Sequence, residues 1–204
     1  HSFFFFLFCN FFSLIFFVIN NFTVSPLICL LLILSIGVSH GSLDNVKGER
    51  LFKILGINNL LIFYISYIII SIIVIILWII APSVSLVIFL IVASYHFGKE
   101  DTQFLITKDS YLNELLFFIK GSIIILAPIY FHLDETINIF KLLLVENENF
   151  YNLLNYIETN KILIIGIILS TIAHIILFSQ NFEIKKFAIF LDYFSILILN
   201  YYFS

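Results

Sequence analysis

Leu60-Leu-Ile-Phe-Tyr-Ile-Ser-Tyr-Ile-Ile-Ile-Ser-Ile-Ile-Val-Ile-Ile-Leu-Trp-Ile-Ile-Ala81 carries no charge from end to end, and its reading decides the fold. A helix crossing a bilayer needs about 20 consecutive apolar residues, which this stretch supplies without interruption. Six more apolar runs flank it, at 3–20, 26–41, 82–98, 113–131, 162–178 and 187–204. Leu, Ile, Val and Phe make up most of each run. Apolar and polar residues do not alternate, so membrane strands are excluded. Pro26 and Pro82 open two of the runs, and proline suits the first turn of a helix. The expectation is an all-α polytopic transmembrane bundle of about seven spans, forming a single membrane domain over residues 1–204.

Composition agrees. The chain is 62% hydrophobic and 11% charged, with a mean hydropathy of +1.13. A soluble domain of this length needs more polar surface. The net charge of −3 offers no basic face, so no nucleic-acid partner is expected. The run from Phe3 lacks the basic start and small-residue cleavage site of a signal peptide and reads as a span. Cys9 and Cys29 sit inside apolar runs, where small buried hydrophobes are expected rather than a disulfide. There is no Met, not even at position 1, so the chain reads as a fragment.

Orientation follows from the basic residues. Lys47, Arg50, Lys53, Lys99, Lys108, Lys185 and Lys186 follow the even-numbered runs; only Lys141 and Lys161 follow the odd ones. The even connections are therefore expected in the cytoplasm and the N-terminus outside. Lys120, inside the fifth run, is expected to snorkel. The acidic connection 132–161 reads as a solvated outer loop with one surface helix, Ile137–Leu144.

Two histidines stand out against this background. His40 and His96 each lie 14 residues after an opening proline, about 21 Å along a helix. That places both near the cytoplasmic side, and His174 near the end of its run joins their layer. His132 ends its run at the opposite side. Neutral imidazole is the commonest protein ligand for iron, zinc and copper. Such ligands usually hand their second nitrogen to a carboxylate or carbonyl. Asp44 is one turn beyond His40, and Asp101 is five residues beyond His96, within reach only if Phe97-Gly98 breaks the helix. Both aspartates also read as interfacial residues facing water. For His174, a structural hydrogen bond and a ligand role are equally open. Ionisable residues at membrane depth are costly, which makes the pair a functional site by default. Glycine at 41 and 98 lets backbone or ligand approach closely. Tyr67, Trp78 and Tyr95 read either as the lining of a tunnel or as lipid-facing anchors.

Gly37-Val-Ser-His-Gly-Ser-Leu-Asp44 and Ser94-Tyr-His-Phe-Gly-Lys-Glu-Asp101 resemble the paired signatures of the Brp/Blh family, the bacterial and archaeal β-carotene 15,15′-dioxygenases. The stretch from Lys120 through Pro128 to His132 is similar to that family's middle region. The resemblance implies a non-haem Fe(2+) site that binds O2 beside β-carotene and cleaves it centrally into two retinals. It implies residence in the cell's inner membrane and a link to a microbial rhodopsin through retinal supply. His40 and His96 match iron ligands of the family. The family's late His-Ser-x-Arg-His motif does not occur here, so its ligands are expected beyond Ser204, and this fragment is expected to be inactive alone. Two other readings of the residues stay open: a haem-binding electron-transfer subunit, and a transporter or non-catalytic pigment-binding protein.

Overall fold

A computed structural model describes residues 44–54, 59–106 and 110–202, together with Gly56 and five isolated positions before residue 44. The described helices are α1 (Asp44–Ile54), α2 (Leu60–Ile80), α3 (Pro82–Glu100), α4 (Tyr111–Gly121), α5 (Ile123–Phe131), α6 (Leu133–Leu142), α7 (Glu148–Thr159), α8 (Ile162–Ser179) and α9 (Phe187–Tyr202). Short 3-10 turns precede α4 and α9. No strand occurs among the described residues. The first two apolar runs lie outside them, apart from isolated positions.

Four stretches are long and apolar enough to cross a membrane: Leu61–Ile80, Pro82–Glu100, Tyr111–Phe131 and Ile162–Ser179. They coincide with the middle runs of the sequence, and the fold is a helical membrane bundle. In α2 no described side chain is buried, an arrangement that suits lipid rather than water. The apolar part of α9, Ile189–Tyr202, is shorter.

The chain divides into two compact units, Asn21–Leu77 and a larger one holding Trp78–Ser204. In the smaller unit Gly48 lies under the ring of Phe63, where a Cβ would meet Cε2 at 2.1 Å. Phe52 meets the same ring edge-on at 5.6 Å.

The larger unit contains the described core. Pro82 starts α3 at a position where its missing N–H costs nothing. The Tyr111–Phe131 span is two helices, broken at Gly121-Ser122; glycine–serine pairs are frequent kink sites. The Ser122 hydroxyl donates back to the Ile119 carbonyl at 2.7 Å. That break serves the packing of α3 on α4. A Cβ on Gly98 would lie 1.8 Å from the Phe117 carbonyl oxygen, and one on Gly121 would lie 1.8 Å from that of Ser94. Only glycine lets these two backbones touch, as small-residue contacts do between membrane helices. The close approach expected at Gly98 is therefore made, and it is made by a neighbouring helix.

The 132–161 connection differs from the sequence expectation. It forms two helices, with α6 beginning at Leu133 and α7 wholly unanticipated. The cause is burial: Ile137, Phe140, Val145 and Leu154 close over Leu86 at the start of α3. The Trp78 indole donates to the Leu143 carbonyl at 2.8 Å and ties the connection down. Asn147 caps α7 by accepting from the Phe150 amide at 3.1 Å. Around Tyr151, whose hydroxyl donates to the Val145 carbonyl, desolvation raises the phenol pKa above its usual value.

Candidate functional site

A cavity of about 340 Å³ lies among α3, α4, α8 and α9 of the larger unit. Its polar lining is Asp101, Thr102, Lys120, His174, Asp192 and Tyr193, set among apolar side chains such as Phe97 and Phe178. Lys120 of α4, His174 of α8 and Asp192 of α9 are polar interruptions of apolar runs, and the packing turns them toward one another.

Lys120 does not snorkel to an interface. It is 4% exposed, and its Nζ donates to Asp101 Oδ2 at 2.6 Å. Its counter-charge lines the same cavity, so the long side chain ends on Asp101 rather than in water. Asp101 itself is half exposed, at 50% of its side chain. It lines the mouth of the cavity while Lys120 lies within.

His174 is 1% exposed. Its Nε2 lies 3.0 Å from the Phe190 carbonyl oxygen. A carbonyl only accepts, so Nε2 carries the hydrogen and the lone pair falls on Nδ1. Nδ1 is buried and has no hydrogen-bond partner among the described residues. The imidazole stacks on Tyr193 at 4.3 Å and on Phe190 at 4.9 Å. Tyr193 is held in turn: its hydroxyl donates to Ser170 Oγ at 3.0 Å, and that hydroxyl donates to the Lys120 carbonyl at 2.9 Å. One line of bonds therefore ties α9 to α8 and α8 to α4 beneath the cavity.

His96 sits in a different setting. Its side chain is 55% exposed, and Nε2 is paired with Glu100 Oε2 at 3.0 Å. It does not line the cavity. Helix α3 continues through Gly98 to Glu100. Residues four apart share a face, whereas the fifth is turned about 140° away. Glu100 thus takes the place beside His96 that the sequence suggested for Asp101, and Asp101 turns to Lys120. Asp44 opens α1, but its side chain and His40 lie outside the described residues, as does any layer that His40 shares with the other histidines. His132 ends α5 with Nε2 donating to the Asn200 carbonyl.

Tyr95 is tied to its neighbours. Its hydroxyl bonds the Glu114 carboxylate, and Lys99 Nζ donates to the Tyr95 oxygen at 2.7 Å and to Glu114 Oε1 at 3.0 Å. Asp192, passed over in the sequence, is the further residue that the structure adds to the cavity. A lone carboxylate inside the run 187–204 is the signal that marks it.

Among the described residues no group of three or more His, Cys, Asp or Glu side chains is gathered to hold a metal ion. His174 shows the second-nitrogen partner typical of a metal ligand, but its Nδ1 is enclosed by the aromatic stack. The Lys120 ammonium also opposes a cation in this cavity.

Comparison with known families gives one match: the model of beta-carotene 15,15′-dioxygenase, over residues 31–204. The chain belongs to the β-carotene 15,15′-dioxygenase family. The match takes in His40, His96, His174 and every residue of the cavity. No curated protein and no solved structure matches the chain. For this member of the dioxygenase family, the described residues thus hold a polar cavity inside an apolar bundle, with His96 on a separate, more open face.

Proposed function

We propose that this protein cleaves β-carotene at its central double bond with O2 and releases two molecules of retinal. The observation that carries this reading is the family match over residues 31–204, which includes both His-Gly and His-Phe-Gly signatures. The reaction balances without a further co-substrate, because each oxygen atom leaves in one aldehyde.

The bundle supports a carotenoid substrate. An apolar groove of about 440 Å³ lies between α5, α8 and α9, lined by Tyr130, Phe131, Ile167, Leu197 and Tyr201 among others. It suits a hydrocarbon ring and polyene and excludes water from them. The same helices continue from this groove to the polar cavity. Lys120 and Ile124 stand before Tyr130 in the α4–α5 span, and Asp192 and Ile196 before Tyr201 in α9.

The redox chemistry is assigned to Fe(2+), which His40 and His96 would help hold and which would supply the activation of O2. The described residues do not complete such a site. The pairing of His96 with Glu100 supports the assignment, since a carboxylate on the second nitrogen orients a ligating imidazole. His174 is assigned to the cavity wall. The protein is placed in the cell's inner membrane with its even-numbered connections in the cytoplasm, and its retinal is proposed to supply a microbial rhodopsin.

The test is expression of the protein, together with the chain expected beyond Ser204, in cells that accumulate β-carotene. Bleaching with retinal detected by chromatography is the expected result. Cells that keep their colour while the protein is present in the membrane overturn the reading. A Soret band in the purified protein would instead favour a haem-binding electron-transfer role. A cysteine at position 103 that reacts with an impermeant thiol reagent in intact cells would overturn the orientation.

A further inference from the structure

A buried lysine facing a cavity is chemically distinct from a buried lysine packed on all sides. Lys120 is 4% exposed, yet it lines a space of about 340 Å³. That space is bounded by Phe97, Ile124, Phe178, Ile189 and Ile196 as well as by the polar groups. Burying one member of an ion pair costs desolvation, so packing alone gives Lys120, buried while Asp101 is half exposed, little reason to be charged here. Desolvation favours the neutral amine, the form of lysine that attacks carbonyl compounds, and a neighbouring carboxylate is placed to take up the proton it sheds. The proposed reaction produces an aldehyde at the end of a polyene, and the apolar groove leads along the same helices to this amine. Lys120 lies ten residues before Tyr130, about 15 Å along the span.

We propose that Lys120 captures the retinal aldehyde as an imine, with Asp101 as its counter-ion. This rests on the reading of the protein as a retinal-forming enzyme.

The step balances within the site. The Lys120 ammonium passes one proton to the Asp101 carboxylate, 2.6 Å away. The freed nitrogen lone pair attacks the aldehyde carbon, and the C=O π pair moves to oxygen. A proton shift from nitrogen to oxygen gives the carbinolamine. Asp101 returns its proton to the hydroxyl, which departs as water while the nitrogen lone pair forms C=N. The product is a protonated imine facing the Asp101 carboxylate. One cation replaces another, so the cavity's charge is unchanged and no buried charge is stranded. Asp101 is half exposed, which gives the water an exit. Asp192, on the same cavity, adds a second negative group facing the cation. The capture holds the reactive aldehyde out of the bilayer until hydrolysis, the same steps reversed, releases it.

The experiment supplies all-trans-retinal directly to the purified protein in detergent, so it needs no cleavage activity. Cyanoborohydride is added to fix any imine, and peptides are mapped by mass spectrometry. The expected result is a retinyl adduct on Lys120 at least tenfold above that on the exposed Lys53 and Lys141. Before reduction, an absorption band to the red of free retinal should appear. Lys120→Arg should remove both signals, and Asp101→Asn should slow trapping at least tenfold. The unmutated protein is informative by itself if a variant fails to fold. An adduct spread evenly over exposed lysines, or absent from Lys120, overturns the proposal. Bleaching cells with no adduct on Lys120 would sink the capture and leave the dioxygenase standing. An adduct on Lys120 with no bleaching would do the reverse, leaving a retinal-binding protein.

Discussion

His96 and His174 both lie inside apolar, membrane-length helices, and the two surroundings are opposites. His96 is 55% exposed and holds only Glu100. His174 is 1% exposed, stacked on two rings and hydrogen-bonded to a backbone carbonyl. The sequence set them at a common depth. Depth along a helix does not fix azimuth, and azimuth decides whether an imidazole meets ligand, lipid or a packed neighbour. An open histidine oriented by one carboxylate is available for chemistry. An enclosed one with its hydrogen on a carbonyl holds helices together.

Substitutions separate the two roles. The largest effect is expected where α3 meets α4, since that contact fixes the azimuth of everything on α3. Gly98→Leu would drive a side chain into the Phe117 carbonyl, and the expected outcome is loss of the monodisperse protein in size-exclusion chromatography. A normal elution profile would show that α3 can rotate, and with it His96.

His96→Ala and His174→Ala should diverge. The first is expected to abolish bleaching while leaving the thermal transition nearly unchanged. The second should lower stability by about 3 kcal/mol, because it empties a buried aromatic stack. Equal stability losses in the two variants would erase the distinction drawn between them.

The cavity's ion pair gives a smaller and asymmetric pair of effects. Asp101→Ala leaves the buried ammonium without its nearest partner and should cost about 2 kcal/mol, reduced from the usual range because Asp101 is half exposed. Lys120→Met removes the buried charge itself and should cost less than Asp101→Ala. Chemical denaturation in detergent measures both, and the reverse order would show that Lys120 stays charged without help from Asp101. The smallest effect is expected for Glu100→Gln. Bleaching should slow about tenfold through loss of His96 orientation, with no measurable change in stability. An unaltered rate would reduce the His96–Glu100 pair to a surface contact.

Much of the bundle was legible because membrane spans follow from uninterrupted apolar length. The four described spans fall where the runs predict. Helix α7 was not legible. Its polar face resembled a solvated loop, and its apolar residues have a purpose only once Leu86 is there to be covered. Lys120 was read as a snorkelling residue because the sequence could not bring Asp101 to it. The signal at His96 was legible as a residue and misassigned in its partner: the helix had to continue through Gly98 for Glu100 to share its face.

The sequence alone determined that this protein is a helical membrane bundle, and its two His motifs marked the family that the match over residues 31–204 shows. Both follow from one-dimensional properties, apolar length and the order of residues in a motif. Only the tertiary structure decided that Lys120, Asp101, His174 and Asp192 share one cavity while His96 faces elsewhere. Those residues are brought together by helix azimuth, and azimuth is set where Gly98 and Gly121 let two backbones touch. A contact between residues that far apart in the chain leaves no periodicity to read; only the close packing of one helix against another fixes it.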